Sequence, residues 1–155
     1  MKVGFWCIGK TEDSYIKEGF AIYQKRLGNY LNFEYREIIA AKSKKSGDNK
    51  NTEVEKDEIL KSLKSNDVLI LLDEKGKEFD SIGFSVFLQK KFNETGGALI
   101  FLAGGAYGFH KDIYDRAGDT IALSKMTFTH QMVRLIFAEQ LYRAMTILKG
   151  EKYHH

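Results

Sequence analysis

The fold is decided by two apolar stretches, VLILL at residues 68–72 and ALIFLA at residues 98–103. Neither contains a polar side chain, which is typical of strands that are covered on both faces of a parallel sheet. The character of the sequence then changes at once, to Asp73-Glu74 after the first stretch and to Gly104-Gly105 after the second. The change predicts that both strands end there.

Further strands and helices alternate on either side of these two stretches. The apolar spacing predicts strands over residues 3–8, 33–39 and 120–123, and helices over residues 12–27, 54–63, 84–92, 110–116 and 130–149. This alternation predicts an α/β fold with a mainly parallel sheet and helices on both faces. Because such sheets bind ligands outside the carboxyl ends of their strands, three strand exits are candidate ligand sites: after residue 72, after residue 103 and over residues 124–129.

The composition indicates a single domain over residues 1–155. The chain has 155 residues, 43% hydrophobic and 29% charged, which matches the common domain size. The apolar neighbours of Cys7, the single cysteine, predict a buried thiol. No stretch approaches the roughly 20 apolar residues of a membrane span, and the apolar stretch at the start is too short for a signal peptide, so we expect no membrane partner and a cytoplasmic location. Four histidines without ligand spacing predict no metal.

The net charge of +3 is compatible with a polyanionic partner but does not establish one. The basic side chains Lys42, Lys44, Lys45 and Lys50 gather within residues 41–52, among Ser, Gly and Asn. This pattern predicts an exposed basic loop, which serves either as a solvated connection or as an electrostatic landing site for a polyanion.

Residues 4–11, GFWCIGKT, satisfy the P-loop pattern, and the run at 68–72 followed by Asp73 resembles a magnesium-holding strand end. In a P-loop the four variable residues wrap phosphates with their backbone N–H groups, whereas Phe, Trp, Cys and Ile suit the interior of a strand. A P-loop nucleotide hydrolase is therefore an alternative function only. A non-catalytic RNA-binding module is the other alternative.

The pattern Gly104-Gly105-x-x-Gly108 is half of a dinucleotide fingerprint. It is compatible with a tight strand-to-helix turn. It is also compatible with a surface on which a flat ligand lies, because Gly105 has no Cβ and permits close approach to the backbone.

Several residues of the last helix, and of the segment before it, have more than one possible role. Thr127 or Thr129 can cap the helix, and His130 is either a capping residue or a functional one. The apolar surface of the helix is wide, which predicts burial against the sheet and against a second subunit. Glu139 and Arg143 stand four residues apart and either pair with each other or serve the site.

The chain closes with Tyr153-His154-His155 after Gly150. This segment is a frayed end or a tag remnant, or else it contributes an aromatic ring and an imidazole that stack on and hydrogen-bond to a base.

Three motifs together resemble the RlmH family of SPOUT methyltransferases. They are FLxGGxxG at residues 101–108, SKMTFxHQMxR at residues 124–134 and EQLYRA at residues 139–144, followed by Tyr153-His154. The resemblance runs the full length, including Leu72-Asp73-x-x-Gly76-Lys77. One departure is Thr129, where many members of the family carry proline.

The resemblance implies a C-terminal trefoil knot, a homodimer and S-adenosylmethionine as the cofactor. It also implies methylation of N3 of a pseudouridine in 23S rRNA, with the assembled 70S ribosome as substrate. The cofactor would be held by Leu72, Gly105, Ser124, Lys125, Met126, Thr127, Phe128 and Thr129. The pseudouridine would be met by His130, Arg143, Tyr153 and His154. Arg143 would stabilise developing negative charge, and His130 or His154 would relay the N3 proton.

Overall fold

The computed structural model describes residues 1–39, 48–105 and 107–155, with the backbone alone at residues 48–51. Five strands are present in this part of the chain: β1 (Lys2–Ile8), β2 (Asn32–Ile38), β3 (Val68–Glu78), β4 (Leu99–Ala103) and β5 (Asp119–Ala122). Five helices accompany them: α1 (Ser14–Leu27), α2 (Asp48–Ser62), α3 (Ser81–Glu94), α4 (Lys111–Arg116) and α5 (Met132–Leu148). None of the described helices is long and apolar enough to cross a membrane.

The strands form one sheet in the order β2-β1-β4-β3-β5, and every pair is parallel. The two apolar stretches lie side by side in register, with Val68 opposite Leu99 and Leu72 opposite Ala103. The predicted α/β class with a parallel sheet is therefore confirmed. Because β1, β4 and β3 share one register, their carboxyl ends meet at one edge.

Helices cover both faces of this sheet, as the sequence predicts. Alternate strand residues enter two separate cores, so that Phe5 and Phe101 face one side while Trp6 and Leu102 face the other. The first core is closed by α1, α3 and α5, and the second by α2 and α4. In the first, the ring of Phe137 from α5 lies 4.5 Å from Phe5 and 4.8 Å from Phe101, between centroids. These aromatic contacts fasten α5 to the middle of the sheet.

Strand β3 does not end at Asp73, which corrects the sequence prediction. Its pairing with β5 shifts register between Leu72 and Lys77, and Ile121 pairs with both residues. The chain therefore bends outward over residues 73–76 and returns to the sheet. Gly76 makes the return possible, because a Cβ there would lie 2.6 Å from the backbone nitrogen of Ile121.

Two helices are longer than their apolar patterns predict. Helix α3 begins at Ser81 instead of residue 84, because the Asp80 side chain accepts a hydrogen bond from the Gly83 backbone N–H at 2.6 Å. Helix α2 begins at Asp48, inside the predicted basic loop. The lysines at 42, 44 and 45 and the side chain of Lys50 lie outside the described residues, so the landing-site hypothesis stays a prediction.

The P-loop alternative is wrong. Its four variable residues, Phe5, Trp6, Cys7 and Ile8, are buried inside β1, where their backbone groups pair with β2 and β4. A backbone committed to the sheet has no N–H groups left to surround phosphates. The predicted trefoil knot stays a prediction.

Candidate functional site

A main cavity of about 680 Å³ opens at the carboxyl edge of the sheet, between the bend in β3 at residues 73–76 and the exits of β4 and β5. Its volume lies in the range typical of small-molecule and cofactor sites. The lining includes every residue predicted to hold a cofactor except Lys125, namely Leu72, Gly105, Ser124, Met126, Thr127, Phe128 and Thr129. Lys125 points elsewhere: its side chain is 85% exposed, with Nζ 3.8 Å from Glu78 Oε2.

The loop over residues 123–130 forms one wall of the main cavity and is fastened by its own hydroxyl groups. The Met126 N–H donates to Ser124 Oγ at 2.9 Å, and Thr127 Oγ1 donates to Glu74 Oε2 at 2.5 Å. Thr129 Oγ1 accepts from the Met132 N–H at 3.1 Å. Of the predicted capping residues, Thr129 therefore caps the first N–H of α5, while Thr127 ties the loop to the bend within β3.

The floor of the main cavity includes the glycine turn after β4. A Cβ on Gly105 would lie 3.3 Å from Ile8 Cγ2, a tight contact on the side that faces β1. The Gly108 N–H donates to the Gly105 carbonyl oxygen at 3.3 Å, which closes the turn. The turn thus presents bare backbone to a ligand.

Negative side chains stand at the mouth of the main cavity. Asp73 Oδ1 accepts from the Lys75 N–H at 2.9 Å, and its other oxygen accepts from the Tyr114 hydroxyl. Burial, reinforced by the bond to Asp73, raises the pKa of Tyr114 to about 12, so the phenol remains a donor. With Glu74 beside Asp73, the mouth is suited to a ligand that carries positive charge or hydroxyl donors.

His130 stands between the main cavity and a smaller neighbour. Its side chain is exposed and lines both the main cavity and a second cavity of about 260 Å³, here called the side cavity. Since the capping hydroxyl of α5 comes from Thr129, the imidazole is left facing these cavities.

Arg134, the last residue of the motif at residues 124–134, has a structural role that the sequence did not indicate. It is 1% exposed, and its guanidinium donates to the carbonyl oxygens of Ile8 and Gly9 at 3.0 and 3.1 Å. Nε donates to the His130 carbonyl oxygen at 3.1 Å. One buried side chain therefore connects the end of β1 to the loop that carries His130.

The remaining contacts of Arg134 reach β2. Nη1 donates to the hydroxyls of Thr11 and Tyr35 at 2.7 and 3.2 Å and lies 3.6 Å from Glu37 Oε1. Bonds from Thr11 and the charge of Arg134 lower the pKa of Glu37 despite its partial burial. Its position in the sequence was the available signal, because Arg134 falls among the core-facing positions of α5 and is the one charged residue among them.

Arg143 and Tyr153 belong to a separate group, here called the tail cluster, which consists of Glu139, Tyr142, Arg143 and Tyr153. Arg143 Nη2 donates to Glu139 Oε1 at 2.5 Å, and the Tyr153 hydroxyl donates to the same oxygen at 3.1 Å. The Arg143 guanidinium lies 4.8 Å from the Tyr153 ring centroid, and the Tyr142 ring meets Tyr153 edge-on at 4.8 Å. The Glu139–Arg143 pair is present, so it accounts for part of the hydrogen bonding of Arg143.

The segment after α5 is held against the body of the protein. Gly150, with φ +68°, turns the chain, and the Glu151 N–H donates to the Thr146 carbonyl oxygen at 2.9 Å. The Tyr30 hydroxyl donates to Glu151 Oε2 at 2.6 Å. His154, next along the chain from Tyr153, is half-buried. These contacts argue against a frayed end.

The four residues predicted to meet the substrate do not gather in one place. His130 precedes α5, whereas Arg143 lies 11 residues beyond the first residue of that helix, about 16 Å along its axis. Arg143, Tyr153 and His154 are absent from the described lining of the main cavity. One chain therefore carries the predicted substrate residues in two separate groups, which would be two half-sites.

Fold and site define an α/β protein with a ligand cavity built at the carboxyl ends of parallel strands. Residues 1–154 match the family described as "Predicted SPOUT methyltransferase", and the chain belongs to the SPOUT methyltransferase family. It is 57% identical over 155 residues to ribosomal RNA large subunit methyltransferase H of Cytophaga hutchinsonii, covering all of both chains.

Two further relatives are consistent with this assignment. The protein of the same name from Parabacteroides distasonis is 49% identical over 156 residues, covering 100% of this chain and 99% of the other. A solved structure, a probable methylase family protein from Haemophilus influenzae, matches with a TM-score of 0.52 at 12% identity. That match covers 99% of this chain and 70% of the other, and at this identity it supports the fold alone.

Proposed function

We propose that this chain, as one domain over residues 1–155, methylates N3 of a pseudouridine in 23S rRNA and uses S-adenosylmethionine as its methyl donor. The observation that carries the proposal is the main cavity, which collects the loop over residues 123–130, the glycine turn and the exit of β3 in a SPOUT methyltransferase. The full-length relatives named as large subunit rRNA methyltransferases support the choice of substrate.

The residues of the main cavity fit a nucleoside cofactor with a cationic sulfur. Bare backbone at Gly105 accommodates a flat ring, and Leu72 and Phe128 offer apolar contact. Asp73 and Glu74 at the mouth complement a sulfonium charge and accept from hydroxyl groups. The loop that carries Ser124, Met126, Thr127 and Thr129 would act mainly through its backbone. The hydroxyls of Ser124, Thr127 and Thr129 already hold that loop in place. Lys125 would act only through its backbone.

When bound, S-adenosylmethionine supplies an electrophilic methyl group. The protein must then align the target nitrogen with that group and help it to lose its proton. His130 is placed at the edge of the main cavity, where it can contact an incoming base. Arg143 retains N–H donors beyond the one bound to Glu139, and these can meet developing negative charge or a phosphate. Tyr153 offers an aromatic ring to the base, with His154 beside it.

A homodimer would bring the two half-sites together. About 16 Å along α5 keeps the tail cluster away from the main cavity of its own chain, and in a dimer the tail cluster of one subunit would complete the main cavity of the other. The outward side of α5 supports this arrangement, because Ile136 and Ile147 are only partly buried there. A second α5 would cover them.

Light scattering tests the dimer. It should give twice 17.8 kDa at micromolar concentration, and a mass near 17.8 kDa would refute the dimer.

Ribosome context is part of the proposal. A net charge of +3 provides little non-specific attraction to RNA, so the protein must recognise a folded ribosomal surface in the cytoplasm. We expect methyl incorporation into 70S ribosomes that lack the modification, and much less into protein-free 23S rRNA. Equal incorporation into both would remove the assembled ribosome from the proposal.

Cofactor binding is tested by calorimetry with S-adenosylmethionine and with ATP. We expect binding of the first and not of the second, and a non-catalytic RNA-binding module would bind neither. Gly105→Val should abolish cofactor binding by narrowing the turn, while Gly96→Val is the matched control, because a Cβ at Gly96 meets nothing within 4 Å. Unchanged affinity in Gly105→Val would remove this turn from the cofactor site.

A further inference from the structure

The side cavity adjoins the main cavity and shares part of its wall. Gly105, Tyr107 and His130 line both, and Lys10 and Glu55 line the side cavity only. Its volume of about 260 Å³ is below the range typical of drug-sized ligands, so it suits one planar group better than a second nucleoside. A planar group seated there would be adjacent to whatever occupies the main cavity.

Of the two described carboxylates that line the side cavity, Glu12 and Glu55, Glu55 is the more buried. It lies on α2 and is half-buried, and among the described residues it has neither a hydrogen bond nor an ion pair. Its neighbours on the same helix differ: Glu53 hydrogen-bonds to His110 Nε2 at 2.8 Å, and Glu58 accepts from Arg36 at 3.0 Å. A half-buried carboxylate without a partner is partly desolvated, and a ligand that donates a hydrogen bond to it would offset that cost.

The chemistry of the target supplies such a donor. The imide of a pyrimidine presents one N–H between two carbonyl groups, and a carboxylate oxygen accepts that N–H. Burial raises the pKa of Glu55, which makes it a better proton acceptor than an exposed carboxylate. Lys10, on the same wall, is a cation that can contact an imide carbonyl oxygen.

We propose that the side cavity receives the uracil ring of the target pseudouridine and that Glu55 accepts its N3 proton; this inference rests on the proposed function. The N3–H bond breaks as the proton moves to a Glu55 carboxylate oxygen. The N3 electron pair forms the bond to the methyl carbon, and the sulfur–methyl bond breaks with its electrons remaining on sulfur. A sulfonium and a carboxylate thereby become a neutral thioether and a carboxylic acid, so charge and atoms balance.

Other titratable groups face the same space. Lys10, Glu12, Tyr107 and His130 line the side cavity with Glu55, whereas His110 and Lys56 contact Glu53 on the neighbouring turn. His130 is exposed and is free to position the base from its open side. Glu55 is a carboxylate of the side cavity whose pKa is raised by burial, which suits it to accept a proton.

The test uses the full-length enzyme and three variants, Glu55→Gln, Glu55→Asp and Asp57→Asn. Asp57 lies on the same helix with its side chain 61% exposed, so its variant controls for loss of a carboxylate from α2. For each, we would measure the melting temperature, S-adenosylmethionine affinity by calorimetry and the single-turnover rate of methylation of unmethylated 70S ribosomes over a range of pH.

Glu55→Gln should slow methylation about 100-fold or more at neutral pH, with the fold and cofactor affinity kept. Its deficit should shrink at alkaline pH, where the imide ionises without help, and Glu55→Asp should recover part of the rate. Asp57→Asn should match the wild type. A wild-type rate in Glu55→Gln, or a deficit that is equal at every pH, overturns the assignment of Glu55. An inactive wild-type enzyme would instead contradict the proposed function.

Discussion

The main cavity and the tail cluster lie toward opposite ends of α5 and differ in how they are built. The cavity wall is mostly backbone, held in place by hydroxyl groups and by the buried guanidinium of Arg134. The tail cluster consists of side chains that bind one another on the surface, with Glu139 at its centre. The first region is organised by the fold itself. The second is available to a partner, so we expect changes in the two regions to have different consequences.

The largest effect should come from removing residues 153–155. Methylation of 70S ribosomes should be lost, because the deletion takes away Tyr153 and His154. Cofactor affinity and melting temperature should barely change, since the segment contributes little to the core. Methyl incorporation, calorimetry and thermal unfolding on the same truncated protein check this. Full activity after truncation would remove both residues from the site.

Arg134→Ala should destabilise the region of the main cavity. Its removal leaves two strand-end carbonyl groups and Glu37 without their cation, so unfolding free energy should fall by about 3 kcal/mol or more. Arg36→Ala is the comparison, because Arg36 pairs with Glu58 at the surface and should cost at most about 1 kcal/mol. Urea denaturation measures both. Equal losses of unfolding free energy in the two variants would mean that the buried Arg134 stabilises the protein no more than the surface Arg36 does.

Arg143→Ala should separate activity from stability. If the guanidinium meets developing charge, transition-state stabilisation should fall by about 2 kcal/mol, or about 30-fold in kcat/KM. Losing the partly exposed pair with Glu139 should lower stability by only about 0.5 kcal/mol. The assays are methyl transfer and thermal unfolding. Unchanged activity would leave the salt bridge as the whole role of Arg143.

Stability at alkaline pH should depend on the buried thiol of Cys7. Burial raises the pKa of the Cys7 thiol from 9.0 to about 12. Between these values the unfolded chain loses the proton and the folded chain keeps it, so stability should fall by about 1.4 kcal/mol per pH unit. This contribution is fully present below pH 9. Cys7→Ala should show a shallower decline of unfolding free energy with pH, and an identical slope would contradict the buried thiol.

Local patterns predict the strands, helices and exits well, because each depends on neighbours in the sequence. The path of β3 beyond Asp73 was missed, since it depends on Gly76 packing against Ile121 from another strand. The role of Arg134 was missed for the same reason, because its partners at Ile8 and Gly9 lie more than a hundred residues away.

The candidate site likewise contains residues that the sequence identifies and residues whose place depends on three-dimensional packing. The residues of the cofactor loop follow a strand exit and could be identified from the sequence and the family resemblance. The separation of Arg143 and Tyr153 from His130 depends on the length and direction of α5 in three dimensions. The position of Glu55 beside the main cavity depends on where α2 packs, which no local pattern indicates.

The central claim, a site shared between two subunits, is tested most directly by mixing two inactive variants. One subunit would carry Gly105→Val and an intact tail, and the other an intact main cavity and no residues 153–155. After subunit exchange, half of the dimers are mixed, and each mixed dimer has one complete site of two, so activity should recover to about a quarter of wild type. No recovery, with exchange demonstrated by mass spectrometry, would contradict the shared site.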